Sequence, residues 1–172
     1  LDATRNLLKH DADKAETLLV ELKHQTQYAV ASIRRLVYAL RPPALDELGL
    51  EGALREQARS YGHVLNIDLK TVGDLTNLPA ATEVACYRIT QEALTNVVRH
   101  SRAKHCTIIL CTADKLFIDV QDNGIGLSEH YRSGVGLRSM RERAEELGGT
   151  FIITSSEKGT RLVATLPLMG KE

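Results

Sequence analysis

The stretch that most constrains this chain is Lys115-Leu116-Phe117-Ile118-Asp119-Val120-Gln121 running straight into Asp122-Asn123-Gly124-Ile125-Gly126. Leu116, Ile118 and Val120 alternate with other residues, the period of a half-buried strand. A strand that stops at Asp-Asn-Gly-x-Gly ends in a turn built for close approach. Glycine lacks a Cβ, so backbone there can lie against a flat ligand and take φ > 0. An acid at the strand end can accept a hydrogen bond from an exocyclic amine. Taken alone, Asp-Asn-Gly is also ordinary turn chemistry. Its meaning depends on what stands at fixed distances on either side.

The 172 residues fit one domain of ordinary size, or one domain with an appendage. At 43% apolar and 26% charged, the composition is that of a soluble globular protein with ample material for a core. Trp is absent and aromatics are few, so aliphatic side chains must fill that core. The 22 basic and 22 acidic residues cancel, which gives no electrostatic footprint for nucleic acid or an anionic membrane. No apolar run approaches a membrane span, no signal-peptide pattern opens the chain, and it starts with Leu rather than Met. The expectation is a cytoplasmic piece of something longer. Cys86, Cys106 and Cys111 are odd in number and lack CxxC spacing. They read as small buried hydrophobes of a reducing compartment, not as a disulfide frame or zinc site.

Residues 1–9 read as the tail of a helix that breaks at His10-Asp11-Ala12-Asp13, with Asp11 or Asp13 as N-cap. From Lys14 to Leu40 there is neither Gly nor Pro, and Ala15, Leu18, Leu22, Thr26, Ala29, Ile33, Leu36 and Leu40 recur at three- and four-residue steps. This is close to a heptad seam with one polar break at Thr26. A helix of about 40 Å cannot bury that seam against its own short tail. The expectation is a helical hairpin that pairs with a second copy as a bundle; the alternative is a helix lying along its own globular domain. Arg41-Pro42-Pro43 ends the helix and marks a boundary. The expected domains are therefore 1–41, a partial dimerisation hairpin; 42–50, a linker; and 51–172, a globular domain.

Within that domain the pattern predicts a helix over 51–61, a strand over 64–71, a loop at 74–79, a helix over 82–99, strands at 106–112 and 115–121, a loop at 127–134, a helix over 135–147 stopped by Gly148-Gly149, and a final hairpin of 150–155 with 160–166. Such an order of helices and largely antiparallel strands predicts an α+β fold, a two-layer α/β sandwich with one sheet covered on one face.

Glu92 and Asn96 lie four apart, on one helix face, with Arg99 and His100 a turn further on. A carboxylate and a carboxamide so spaced suit a hard divalent ion whose shell is completed by water and phosphate oxygens. A plain helix surface ending in cations favoured by the macrodipole is the alternative. Eight residues after Gly126, Gly134-Val135-Gly136-Leu137 opens a helix, where backbone N–H groups make an anion site. Gly159-Thr160 opens the last strand, with a hydroxyl in reach of a purine, or simply a hairpin turn. No P-loop, nucleophile elbow, HExxH or EF-hand spacing occurs.

In this order the four pieces resemble the GHKL ATP-binding superfamily of gyrase, heat-shock chaperone, histidine kinase and mismatch-repair ATPases. Gln91-Glu92-Ala93-Leu94-Thr95-Asn96-Val97-Val98-Arg99-His100-Ser101 looks like its N box, Asp122-Asn123-Gly124-Ile125-Gly126 like its G1 box, and Gly134-Val135-Gly136-Leu137 like its G2 box. Arg41-Pro42-Pro43-Ala44-Leu45, Leu48-Gly49-Leu50 and Gly136-Leu137-Arg138-Ser139-Met140-Arg141-Glu142-Arg143 are similar to sensor histidine kinases of the nitrate-sensor type. The resemblance covers nearly the whole chain. It implies a Bergerat-type sandwich holding ATP and Mg²⁺, carried on a dimerising hairpin, that phosphorylates a histidine and passes the phosphoryl group to an aspartate of a response-regulator receiver domain.

Position by position, the resemblance implies that Asp122 binds the adenine amine, that Gly124 and Gly126 let the chain pass the base, and that Asn96 ligates Mg²⁺ with Glu92 as a nearby or water-activating acid. It implies that Arg99 and His100 face the phosphates, that Gly134 and Gly136 support the lid and phosphate contacts, and that Thr160 sits near adenine. In this family the acceptor histidine lies on the first hairpin helix and is followed by an acid. His10-Asp11 mimics that dipeptide but sits beside the turn into the long helix. The expectation is that the true acceptor precedes Leu1 and that this chain does not label itself. Two other readings stand beside it: a GHKL ATPase using water with Glu92 as base, and a degenerate module that only dimerises.

Overall fold

The computed structural model describes residues 16, 19–23, 25–26, 41–127 and 134–168. The chain divides into two compact units, Leu1–Leu40 and Arg41–Glu172. In the first unit the described residues are helical, as a run without Gly or Pro should be. Thr26 Oγ1 donates to the Leu22 carbonyl at 2.7 Å, one turn back. Leu19, Val20 and Leu22 are exposed. His10, His24 and the rest of the seam lie outside the described residues, as do His130 and most of the loop expected at 127–134.

The second unit opens with helix α1, Pro43–Tyr61, eight residues earlier than the sequence pattern indicated. Pro42 takes the N-cap position and Pro43 the first helical one. A proline there loses nothing, because the first N–H groups of a helix have no partner in any case. The prolines read from sequence as a stop therefore start a helix. Gly49 breaks α1 with φ 65° and ψ 178°. The stretch expected as a linker is in fact core: Leu45 and Leu50 are each only 2% exposed. Arg41 secures it, bonding Asp46 and reaching Glu83 Oε2 at 2.7 Å through Nη2.

Strand β1, Asn66–Val72, follows a turn in which the N–H groups of Val64 and Leu65 both donate to the Tyr61 carbonyl. Helix α2 is Ala80–Asn96. Its end is not α-helical to residue 99: Val97–Ser101 widens into a π turn that closes at Arg102 in the left-handed region, φ 55°. Then come β2, His105–Thr112; β3, Lys115–Asp122; helix α3, Val135–Glu146; and the hairpin β4, Thr150–Ser156, with β5, Gly159–Pro167.

The five strands are ordered β1-β2-β3-β5-β4. Every neighbouring pair is antiparallel except β1 and β2, which run parallel because α2 intervenes as a crossover. Alternation along β3 buries Leu116, Ile118, Val120 and Asp122 while Lys115, Phe117 and Gln121 stay exposed. In β5 the buried side chains are Leu162, Ala164 and Leu166. One face of the sheet thus packs beneath the helices and the other faces solvent, giving the expected α+β two-layer sandwich.

Candidate functional site

Strand period decides where the acid goes. Asp122 is the last residue of β3 and shares the helix-side parity of Leu116, Ile118 and Val120, so it enters the space beneath α2 at 5% exposure. Register supplies its surroundings: Cys106 of β2 lies opposite, and β5 brings Thr160 alongside. The carboxylate Oδ1 accepts the Gly124 N–H at 2.7 Å, and the Thr160 backbone N–H bonds the same carboxylate. Burial pushes the Asp122 pKa above the ordinary carboxylate value, and the two N–H donors only partly oppose it. A buried acceptor with a destabilised charge is poised to take a donor from a ligand.

Around it lies a cleft open to solvent on one side. Asn96 and His100 line one wall, Gly126 and Thr160 another, and Leu137, Met140 and Leu162 contribute an apolar floor. A flat, largely apolar body with one polar edge toward Asp122 matches this lining. Of the residues singled out from sequence, Asn96, His100, Asp122, Gly126 and Thr160 meet here. Gly124 is packed behind Asp122, against Ser101. Gly134 is the N-cap residue of α3 in an extended conformation and does not line the cleft. Arg99 is exposed on the π turn and is also not in the lining.

Glu92 sits one turn before Asn96 and meets the first turn of α3. A Cβ on Gly136 would come 2.2 Å from Glu92 Oε1 and 3.5 Å from Asn96 Nδ2. Glu92 and Asn96, 44 and 40 residues from Gly136 in sequence, are therefore brought against it. Gly126 meets a separate demand: φ is +71°, and a Cβ would fall 2.1 Å from the Ser156 carbonyl oxygen.

Sequence reasoning missed several members. Ser101 is buried, donates through Oγ to the Val97 carbonyl at 2.8 Å, and offers its own carbonyl to the Ile125 N–H at 2.8 Å. Ser155 Oγ accepts the Leu127 N–H at 2.7 Å and lies 3.3 Å from Thr160 Oγ1. Neither carries a local signal beyond being polar where backbone needs a partner. The π turn is invisible to a 3.6-residue period, although such turns recur at functional sites. Cys86 and Cys106 are buried thiols pushed up to about 12 by desolvation, hence unreactive, while Cys111 is only half-buried. Among the described residues no group of three His, Cys, Asp or Glu side chains could hold a metal ion.

Residues 81–170 match the family model described as histidine kinase-, DNA gyrase B-, and HSP90-like ATPase. The chain is 38% identical to the sensor histidine kinase MctS of Rhizobium johnstonii, over 81% of this chain and 32% of that protein. It is 35% identical to the sensor histidine kinase LiaS of Bacillus subtilis, over 98% of this chain and 49% of the relative. With DegS of Brevibacillus brevis, a signal transduction histidine-protein kinase/phosphatase, it shares 31% over 93% of this chain and 43% of the relative. The chain thus spans a third to a half of the length of these curated relatives. The solved histidine kinase domain of the blue-light activated kinase of Erythrobacter litoralis EL346 superposes with a TM-score of 0.59 at 21% identity, covering 88% of this chain and 86% of that one, which is a likeness of fold. With more than half its length matched by the family model, this chain belongs to the histidine kinase-, DNA gyrase B- and HSP90-like ATPases.

Proposed function

We propose that the chain is the ATP-binding catalytic region of a two-component sensor histidine kinase. It delivers the γ-phosphoryl group to a histidine on a dimerisation helix, from which the group passes to a response-regulator aspartate. The observation that carries this reading is the single cleft that gathers Asp122, Thr160, Gly126, Asn96 and His100. In it, Asp122 accepts the exocyclic amine of adenine, the apolar floor takes the ring, and Asn96 with His100 faces the phosphates. Phosphoryl transfer needs positioning and charge neutralisation more than covalent help from the protein. Mg²⁺ fits the donor set: Glu92 and Asn96 offer hard oxygens at i and i+4, and with no group of three ligating His, Cys, Asp or Glu side chains among the described residues the ion would take its other ligands from phosphate and water. When bound, the ion neutralises charge on the phosphates. Arg99, exposed on the π turn, reaches the phosphates only from outside the cleft, and Gly134 serves the chain that leads into α3.

The domain assignment follows from the same reading. Residues 1–41 belong to the dimerisation hairpin, which pairs with a second copy, and the acceptor histidine lies before Leu1. The region thus binds Mg·ATP without labelling itself, in the cytoplasm, whether or not its parent is membrane-anchored. Calorimetric titration with ATP and incubation with γ-labelled ATP test this directly. Binding without label, and label once an upstream segment carrying a histidine is supplied, are the expected results. A stable acid-labile phosphate on His10 would overturn the placement of the acceptor, and no ATP binding at all would overturn the reading. Rapid phosphate release from the chain alone would turn it toward hydrolysis on water.

A further inference from the structure

Asn123 is exposed and does not line the cleft. Its backbone is not in the left-handed region, so conformational tolerance of asparagine is not what the position requires. Its side chain is nonetheless fully engaged as an acceptor: Oδ1 takes the N–H of Lys104 at 3.0 Å and the N–H of His105 at 2.9 Å. Its own N–H donates to the His105 carbonyl at 3.2 Å. Two residues on, the Ile125 N–H donates to the Ser101 carbonyl at 2.8 Å. Ser101 is the last residue of the π turn that begins immediately after Asn96, and its Oγ in turn accepts the Ala103 N–H at 3.0 Å. The fit leaves no slack, since a Cβ on Gly124 would stand 2.2 Å from the Ser101 carbonyl oxygen.

From this juxtaposition we infer that Asn123 is a positioning residue. It ties the Asp122–Gly126 turn to the segment leaving the π turn, so that the acid at the purine end and Asn96 and His100 at the phosphate end are held in one frame. The inference rests on the nucleotide reading above for its ligand and on the hydrogen bonds alone for its frame. What the position needs is an acceptor of two N–H groups. Aspartate supplies one, and alanine does not.

The test uses the whole chain with Asn123→Ala and Asn123→Asp. ADP affinity by calorimetry should fall about tenfold in N123A and stay within about threefold of the parent in N123D. Amide hydrogen exchange on the ligand-free proteins should show faster exchange at Lys104, His105 and Ile125 in N123A only. A merely structural role would lower the melting temperature of N123A and leave ADP affinity, measured well below that temperature, unchanged. Unchanged affinity, unchanged exchange at those three amides, or an N123D as weak as N123A would each overturn the inference. If the parent chain takes up no ADP, the nucleotide reading fails by itself, and the exchange data still decide whether Asn123 holds the turn.

Discussion

Asp122 is held at a cost to the fold, because its folded pKa is raised, chiefly by burial. A carboxyl with a raised folded pKa contributes stability while protonated and loses it as pH rises through that pKa, so at neutral pH the ionised group works against folding. Asp122→Asn should therefore stabilise the ligand-free chain, on the order of 1 kcal/mol in a denaturant titration. The same change should weaken ATP binding roughly 10- to 100-fold, the worth of a charged hydrogen bond. Affinity for ATP should also fall as pH drops through the raised pKa, at higher pH than an ordinary carboxylate would give. Two glycines make a paired prediction. Gly126→Ala forces a side chain onto φ +71° and into the Ser156 backbone carbonyl, and should cost roughly 1–3 kcal/mol from strain alone. Gly136→Ala meets the flexible end of Glu92 and stands at ordinary contact distance from Asn96 Nδ2, so stability should change by less than about 1 kcal/mol. Phosphoryl transfer, assayed with the acceptor segment supplied, should nonetheless drop as Glu92 is displaced.

Helix α1 shows how an element's meaning changes with its context. Read along the sequence, Pro42-Pro43 is a stop and residues 42–50 a connector. In the fold the same prolines are a start, and Leu45 and Leu50 of the helix they open are part of the buried core. Leu45→Ala should cost about 2–4 kcal/mol, as for other buried leucines, where a linker residue would cost almost nothing. Thermal unfolding of the Arg41–Glu172 unit measures it. A piece beginning at Glu51 should be less stable by more than that single change, because it loses Leu45 and Leu50 together with the Arg41–Glu83 pair, whose acid is 8% exposed.

For the whole molecule, the proposed pairing of two copies through the N-terminal helix has a plain consequence. Leu22 of the seam is exposed on a single chain, as are its neighbours Leu19 and Val20, and covering exposed apolar side chains is stabilising. Sedimentation should show the full chain associating with rising concentration and the Arg41–Glu172 unit remaining monomeric. Identical behaviour of the two would remove residues 1–40 from the dimer interface. Nucleotide binding, by contrast, should be nearly equal in both, since every residue lining the cleft comes from the second unit.

The sequence by itself determined whatever has a short period or a local turn chemistry. It was enough to place Leu116, Ile118 and Val120 on one side of a strand, to put Glu92 and Asn96 on one helix face, and to mark glycine-rich turns after β3 and before α3. From these came the sandwich and most of the residues proposed for the site. Only the tertiary structure decided that Thr160 meets Asp122, that Gly136 abuts Glu92, that Arg99 stays outside the cleft, and that Ser101 and Ser155 hold its loops. Those facts depend on strand register, on packing between distant elements and on a π turn, and in each the partner lies too far along the chain for any local pattern to name it.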